Sequence, residues 1–100
     1  MAAGDLKRRR SDFTNAIDQY TQAIELLNNE FTKQHWTIFF ARGASYEQLD
    51  QWVEAERDLR QARNLSPNQP EVLNYIGYMW LEQDKKVFEA VELILSLIHI

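Results

Sequence analysis

The stretch WTIFFARGASYEQLDQWVEAERDLRQARNLSPNQ, from Trp36 to Gln69, decides the fold. Trp36, Phe39, Phe40, Gly43 and Tyr46 recur at steps that place them on one side of a helix, and the pattern predicts a helix ending near Leu49. Asp50 and Gln51 interrupt it. Trp52, Ala55, Leu59, Ala62 and Leu65 then form a second helical stripe. Pro67 ends that stripe, because proline has no N–H and its ring clashes with the preceding turn. Two helices joined by so short a turn must lie antiparallel.

The same signature recurs on both sides. Phe13, Ala16, Ile17, Tyr20, Ala23 and Ile24 stand 39 positions before Trp52, Ala55, Glu56, Leu59, Ala62 and Arg63, and Gly4 stands 39 before Gly43. Phe39, Gly43 and Tyr46 are followed 34 positions later by Leu73, Gly77 and Trp80. Self-similarity at such periods predicts stacked helical hairpins. The units read as 2–30, 36–69 and 70–98 of one array, the first lacking its beginning. In the first unit, Asp12 reads as the cap of a helix from Phe13 to Leu27, ended by Asn28 and Asn29. In the third, Asn68 caps a helix carrying Val72, Leu73, Ile76, Gly77, Trp80 and Leu81. Asp84, Lys85 and Lys86 then mark a turn, and Val87, Ala90, Val91, Ile94 and Leu97 resume the stripe. Gly43, Gly77, Ala16 and Ala55 are expected where helix axes come closest. A bulkier side chain there would cost roughly 1–3 kcal/mol.

These residues resemble the tetratricopeptide repeat family. Gly43, Tyr46, Trp52, Ala55, Leu59, Ala62, Leu65 and Pro67 stand at its signature places, and Arg42 departs from its usual Leu. The run from Leu65 to Tyr78 is similar to bacterial members. The resemblance implies an all-α, right-handed superhelical solenoid of about three antiparallel helix pairs. It implies a concave groove lined by the first helix of each pair, where partners bind. The groove-facing positions are Thr37, Phe40, Ala44 and Glu47, then Glu71, Asn74, Tyr78 and Glu82. In the first unit they are Asp5, Arg8 and Arg9. The residues at the places of the Lys and Asn of the family's carboxylate clamp are Phe40, Ala44, Asn74 and Tyr78, so the cationic half is missing. A mixed aromatic and acidic groove suits a peptide or helix with basic and apolar residues. The expected role is a scaffold for protein partners or, alternatively, an assembly segment of a larger bacterial protein.

The remaining composition narrows the chemistry. A net charge of −4 argues against general nucleic-acid affinity. With no cysteine there is no disulfide and no thiolate metal site. His35 and His99 have no metal-ligand spacing and no nucleophile motif, so no catalytic residue, cofactor or metal is expected. Glu54, Glu56 and Asp58 interleave with Arg57, Arg60 and Arg63 and read as a solvated helix face. Lys7 to Arg10 reads as the polar end of a truncated helix. No signal peptide or membrane span is evident, so the chain reads as soluble, in cytoplasm or periplasm.

Residues 87–100 are apolar at nearly every turn. Leaving such side chains in water forgoes on the order of 1.5–3 kcal/mol each. Three readings are open: a fragment whose next unit is absent, self-association through this end, or a foreign tail over Leu95–Ile100.

Overall fold

The computed structural model describes the backbone of residues 2–98 and the side chains of residues 8–89, 91, 92, 94 and 95. Expectations resting on the side chains of Gly4, Asp5, Lys7, Ala90, Leu93, Leu97 and Ile98, and those on His99 and Ile100, lie outside these described residues.

The described chain is all helical. It comprises α1 (Ala2–Leu26), a 3-10 turn (Lys33–His35), α2 (Trp36–Gln48), α3 (Trp52–Leu65) and α4 (Pro70–Ile98). The α2–α3 hairpin forms where the sequence places it. Its turn closes with the Asp50 N–H donating to the Glu47 carbonyl at 2.9 Å and the Gln51 N–H to the Tyr46 carbonyl at 3.0 Å. Asp50 takes the left-handed conformation at φ 60°, in a place that usually falls to glycine. Asn28 (φ 53°) and Asn29 (φ 64°) turn the chain after α1, with the Glu30 N–H donating to the Leu27 carbonyl at 2.9 Å. Ser66 leaves the helical region (φ −141°, ψ 84°), which the following proline favours, and α3 stops there.

The core lies where α2, α3 and the first half of α4 meet. Phe39, Ala55, Leu59, Ala62, Val72, Ile76 and Met79 are buried together, with Ile24 of α1 and Phe31 packed against them. Gly43 is where the hairpin axes approach. A Cβ built on it would stand 3.1 Å from Leu59 Cγ, 3.2 Å from the Ala55 carbonyl oxygen and 3.2 Å from Asp58 Cβ.

An ionic knot ties three helices. Arg42 grips Asp58 with both arms of its guanidinium, Nε to Oδ2 at 2.6 Å and Nη2 to Oδ1 at 2.7 Å. Its Nη1 donates to Thr21 Oγ1 of α1 at 3.2 Å. Asp58 is 1% exposed. It is therefore no part of a solvated face, contrary to the sequence expectation, whereas the Arg60–Glu56 pair is exposed as expected. Arg42 sits where the resembled family has Leu, and Asp58 is what makes a buried cation tolerable there. The Asp58 hydrogen bond raises the Arg42 pKa further, against the opposing effect of burial.

Two expected turns are absent. α1 runs unbroken through Arg10–Asp12, so Asp12 caps nothing, and α4 runs unbroken through Asp84–Lys86. Neither segment contains glycine or proline. A break in the apolar stripe does not by itself stop helical hydrogen bonding. One helical hairpin flanked by two long helices thus stands where three pairs are expected. Two consequences follow on α4. Gly77 meets nothing within 4 Å of a built Cβ, because no helix returns alongside it. Val72, Ile76 and Met79 are the buried residues, while Leu73, Trp80 and Leu81 are exposed. The helix begins at Pro70, so Gln69 rather than Asn68 takes the cap position, its carbonyl accepting the Leu73 N–H at 3.2 Å.

Candidate functional site

An aromatic chain crosses from α2 to α4. Trp36 and Phe40, four residues apart on α2, meet edge to face at 5.8 Å between ring centroids. Phe40 meets Tyr75 of α4 at 5.5 Å, with the rings at 80°. Tyr75 meets Tyr78, three residues on, at 6.0 Å. Each contact lets a ring's positive edge face its neighbour's negative π-face. The intrahelical steps follow from the three- and four-residue spacing that brings helical side chains together. The Phe40–Tyr75 contact is tertiary and depends on how α4 is laid across the hairpin.

Glu47 anchors this chain. Its Oε2 accepts from the Tyr75 hydroxyl at 2.8 Å and from Gln48 Nε2 at 3.0 Å. Glu47 is 8% exposed. Burial first, and then the hydrogen bond to Glu47, push the Tyr75 hydroxyl pKa well above the ordinary tyrosine value of about 10. Tyr75 therefore stays a neutral donor at physiological pH, and Glu47 is held beneath the face as its acceptor.

The sequence-derived candidates divide accordingly. Phe40, Glu47 and Tyr78 are brought together, with Tyr75 as the link. Glu47 is a supporting residue and not an open groove contact, since its carboxylate is engaged from within. Tyr78 is 50% exposed and forms the open end of the aromatic chain. Ala44 is half-buried on α2, and Glu82 is half-buried on α4. Glu71 and Asn74 are exposed on the first turns of α4. Thr37 is exposed at the start of α2, its hydroxyl donating to the Gln34 carbonyl at 3.2 Å. Arg8 and Arg9 are exposed on α1, with no described contact to this aromatic chain. Trp36, which the sequence offers with Phe39 and Phe40 as a ligand box but assigns to packing, and Tyr75 lie outside the groove-facing candidates. Their signal was present as aromatic pairs at i, i+4 (Trp36, Phe40) and i, i+3 (Tyr75, Tyr78).

His35 accepts the Thr32 N–H on Nδ1 at 2.9 Å, which fixes it at the helix start. Among the described residues, no three His, Cys, Asp or Glu side chains converge as a metal site would require. No described helix is long and apolar enough to cross a membrane.

A segment of 62 residues, 61% of this chain, is 37% identical to the lipoprotein NlpI homolog of Haemophilus influenzae. The chain spans only 20% of that protein's length. No protein-family profile matches the chain. No solved structure matches it.

Proposed function

We propose that this chain is a helical-repeat interaction module that holds a peptide or helix against the aromatic face of α2 and α4, without covalent chemistry. The observation that carries the reading is the unbroken edge-to-face chain from Trp36 through Phe40 and Tyr75 to the half-exposed Tyr78. Rings pinned by one another and by Glu47 lose little rotamer freedom when a ligand arrives, so their contact area converts efficiently into affinity. Exposed aromatic faces attract Lys and Arg by about 0.5–1 kcal/mol each. Glu71, at the start of α4, adds an acidic rim. The preferred ligand is thus a segment with basic and apolar residues, consistent with the chain's charge of −4. The tetratricopeptide resemblance supports the same reading.

The test is selection from a random peptide display library, followed by affinity measurement on the recovered sequences. Basic, apolar-rich peptides are expected, weakened at least tenfold by Phe40→Ala and by Tyr78→Ala and unaffected by Leu26→Ala. Recovered peptides insensitive to both aromatic variants would refute the site. A second reading, an assembly segment of a larger protein, is favoured by the exposed apolar side chains at Val87, Phe88, Val91, Ile94 and Leu95.

A further inference from the structure

α4 is 29 residues long, about 43 Å, and only its first half lies against the core. Beyond Lys86 its described apolar side chains face solvent. Between α3 and the first half of α4 runs an open groove of about 500 Å³. It is lined by Glu56, Arg60, Arg63 and Asn64 on one side and by Ile76 and Trp80 on the other. A hollow of about 320 Å³ beside Trp52, Val53 and Val87 continues it toward the middle of α4. Gly77, where a built Cβ would meet nothing within 4 Å, stands between Ile76 and Trp80 in the sequence.

The internal repeat identifies what fits there. Gly77 is the counterpart of Gly43, 34 positions on, and Gly43 is the point where α3 presses Leu59 against α2. The counterparts of Trp52 and Leu59, 35 positions on, are Val87 and Ile94. The segment built to lie against Gly77 is therefore the second half of α4 itself. In the straight helix it cannot reach, because 17 helical residues separate Gly77 from Ile94 by about 25 Å along the axis. A second copy can supply it. Transferred to α4, the Gly43–Leu59 register is symmetric about roughly residue 85, so two α4 helices crossing antiparallel there satisfy both grooves at once, with the closed two-fold symmetry that dimers favour. Charge complements this: Arg63 edges the groove beside the internally paired Arg60 and Glu56, and Glu92 borders the apolar arc of Val87, Val91, Ile94 and Leu95.

We propose that the chain forms a two-fold dimer by exchanging the second half of α4, each copy's Val87–Leu95 lying in the groove between α3 and the first half of α4 of the other. Asp84–Lys86 is the hinge region, and a hairpin turn there would give the corresponding closed monomer.

The absence of cysteine makes the test direct. Gly77→Cys and Ile94→Cys are prepared as separate single variants of the 100-residue chain, checked for helicity by circular dichroism, mixed, and oxidised. A disulfide needs its Cα atoms within about 7 Å. The expected result is a covalent dimer abundant in the mixture and at least tenfold scarcer with either variant alone, and a light-scattering mass for the unmodified chain of twice 11.9 kDa. A monomeric mass would overturn the proposal. So would equal crosslinking in the single-variant samples, or a Gly77→Cys/Ile94→Cys double variant that closes a disulfide within one chain.

Discussion

Replacing one partner of the Arg42–Asp58 pair leaves the other buried with nothing to answer its charge. The Arg42 side chain is 11% exposed and that of Asp58 is 2% exposed. Removing one member of a buried, bidentate pair costs about 3–5 kcal/mol, most of it the desolvation of the stranded partner. Arg42→Leu strands the Asp58 carboxylate and also releases Thr21 of α1. Asp58→Ala strands the guanidinium beneath Phe39 and Tyr46, whose rings lie 5.8 and 5.9 Å from it. Each single variant should therefore lose about 3–5 kcal/mol, a large part of the roughly 5–15 kcal/mol that holds a small domain folded. The double variant Arg42→Leu/Asp58→Ala removes both charges and installs the leucine usual in the resembled family. Its loss should be smaller than that of either single variant, leaving a coupling energy of about 3 kcal/mol or more. Urea unfolding followed by circular dichroism gives all four stabilities. Additive losses, or single losses below about 1 kcal/mol, would show that water reaches the pair and would refute its role in fastening α1 and α3 to α2.

Other expectations follow from single contacts. Gly43→Ala should destabilise by about 1–2 kcal/mol in the same urea assay: overpacking against the Ala55 carbonyl outweighs the helix-propensity gain of about 0.5–1 kcal/mol. At Asp50, whose φ is 60°, Asp50→Ala should cost about 1 kcal/mol, while Asp50→Gly should be neutral or stabilising in thermal melts even though it gives up the exposed ion pair with Lys86. The raised Tyr75 pKa makes a stability contribution that is fully present below pH about 10 and falls as pH rises above it, because the unfolded chain gives up its tyrosine proton first. Tyr75→Phe should flatten that alkaline loss in unfolding measured from about pH 9 to about pH 12, a range that brackets the ordinary tyrosine value of about 10. An unchanged slope would mean that Tyr75 is solvated.

The hairpin was legible because independent signals agreed on it: an apolar stripe on each helix, a polar turn at Asp50 and a proline after α3. The end of α1 was legible for the same reason, since asparagine tolerates the left-handed conformation found at Asn28 and Asn29. The expected turns near Asp12 and Lys85 rested on a charge cluster or a lapse in apolar rhythm alone, with no residue there that breaks a helix. Lys86 has another use, since its Nζ lies 4.3 Å from the centroid of the Trp52 ring and 3.3 Å from Asp50 Oδ1. Burial of Asp58 was hidden because its partner lies 16 residues away on another helix. Of the aromatic face, Phe40 and Tyr78 were reachable through repeat position. Tyr75 was not, because its place is set by the tertiary contact with Phe40 and by Glu47 beneath it.

α4 lies across α2 so that the aromatics of the two helices make one face, and the proposed binding depends on it. A nuclear Overhauser spectrum of the free chain, with the aromatic rings assigned, tests this without any partner. Cross-peaks are expected from Phe40 ring protons to both Trp36 and Tyr75, and from Tyr75 to Tyr78. Phe40 peaks confined to α2, with none reaching Tyr75, would contradict the face and the binding role built on it.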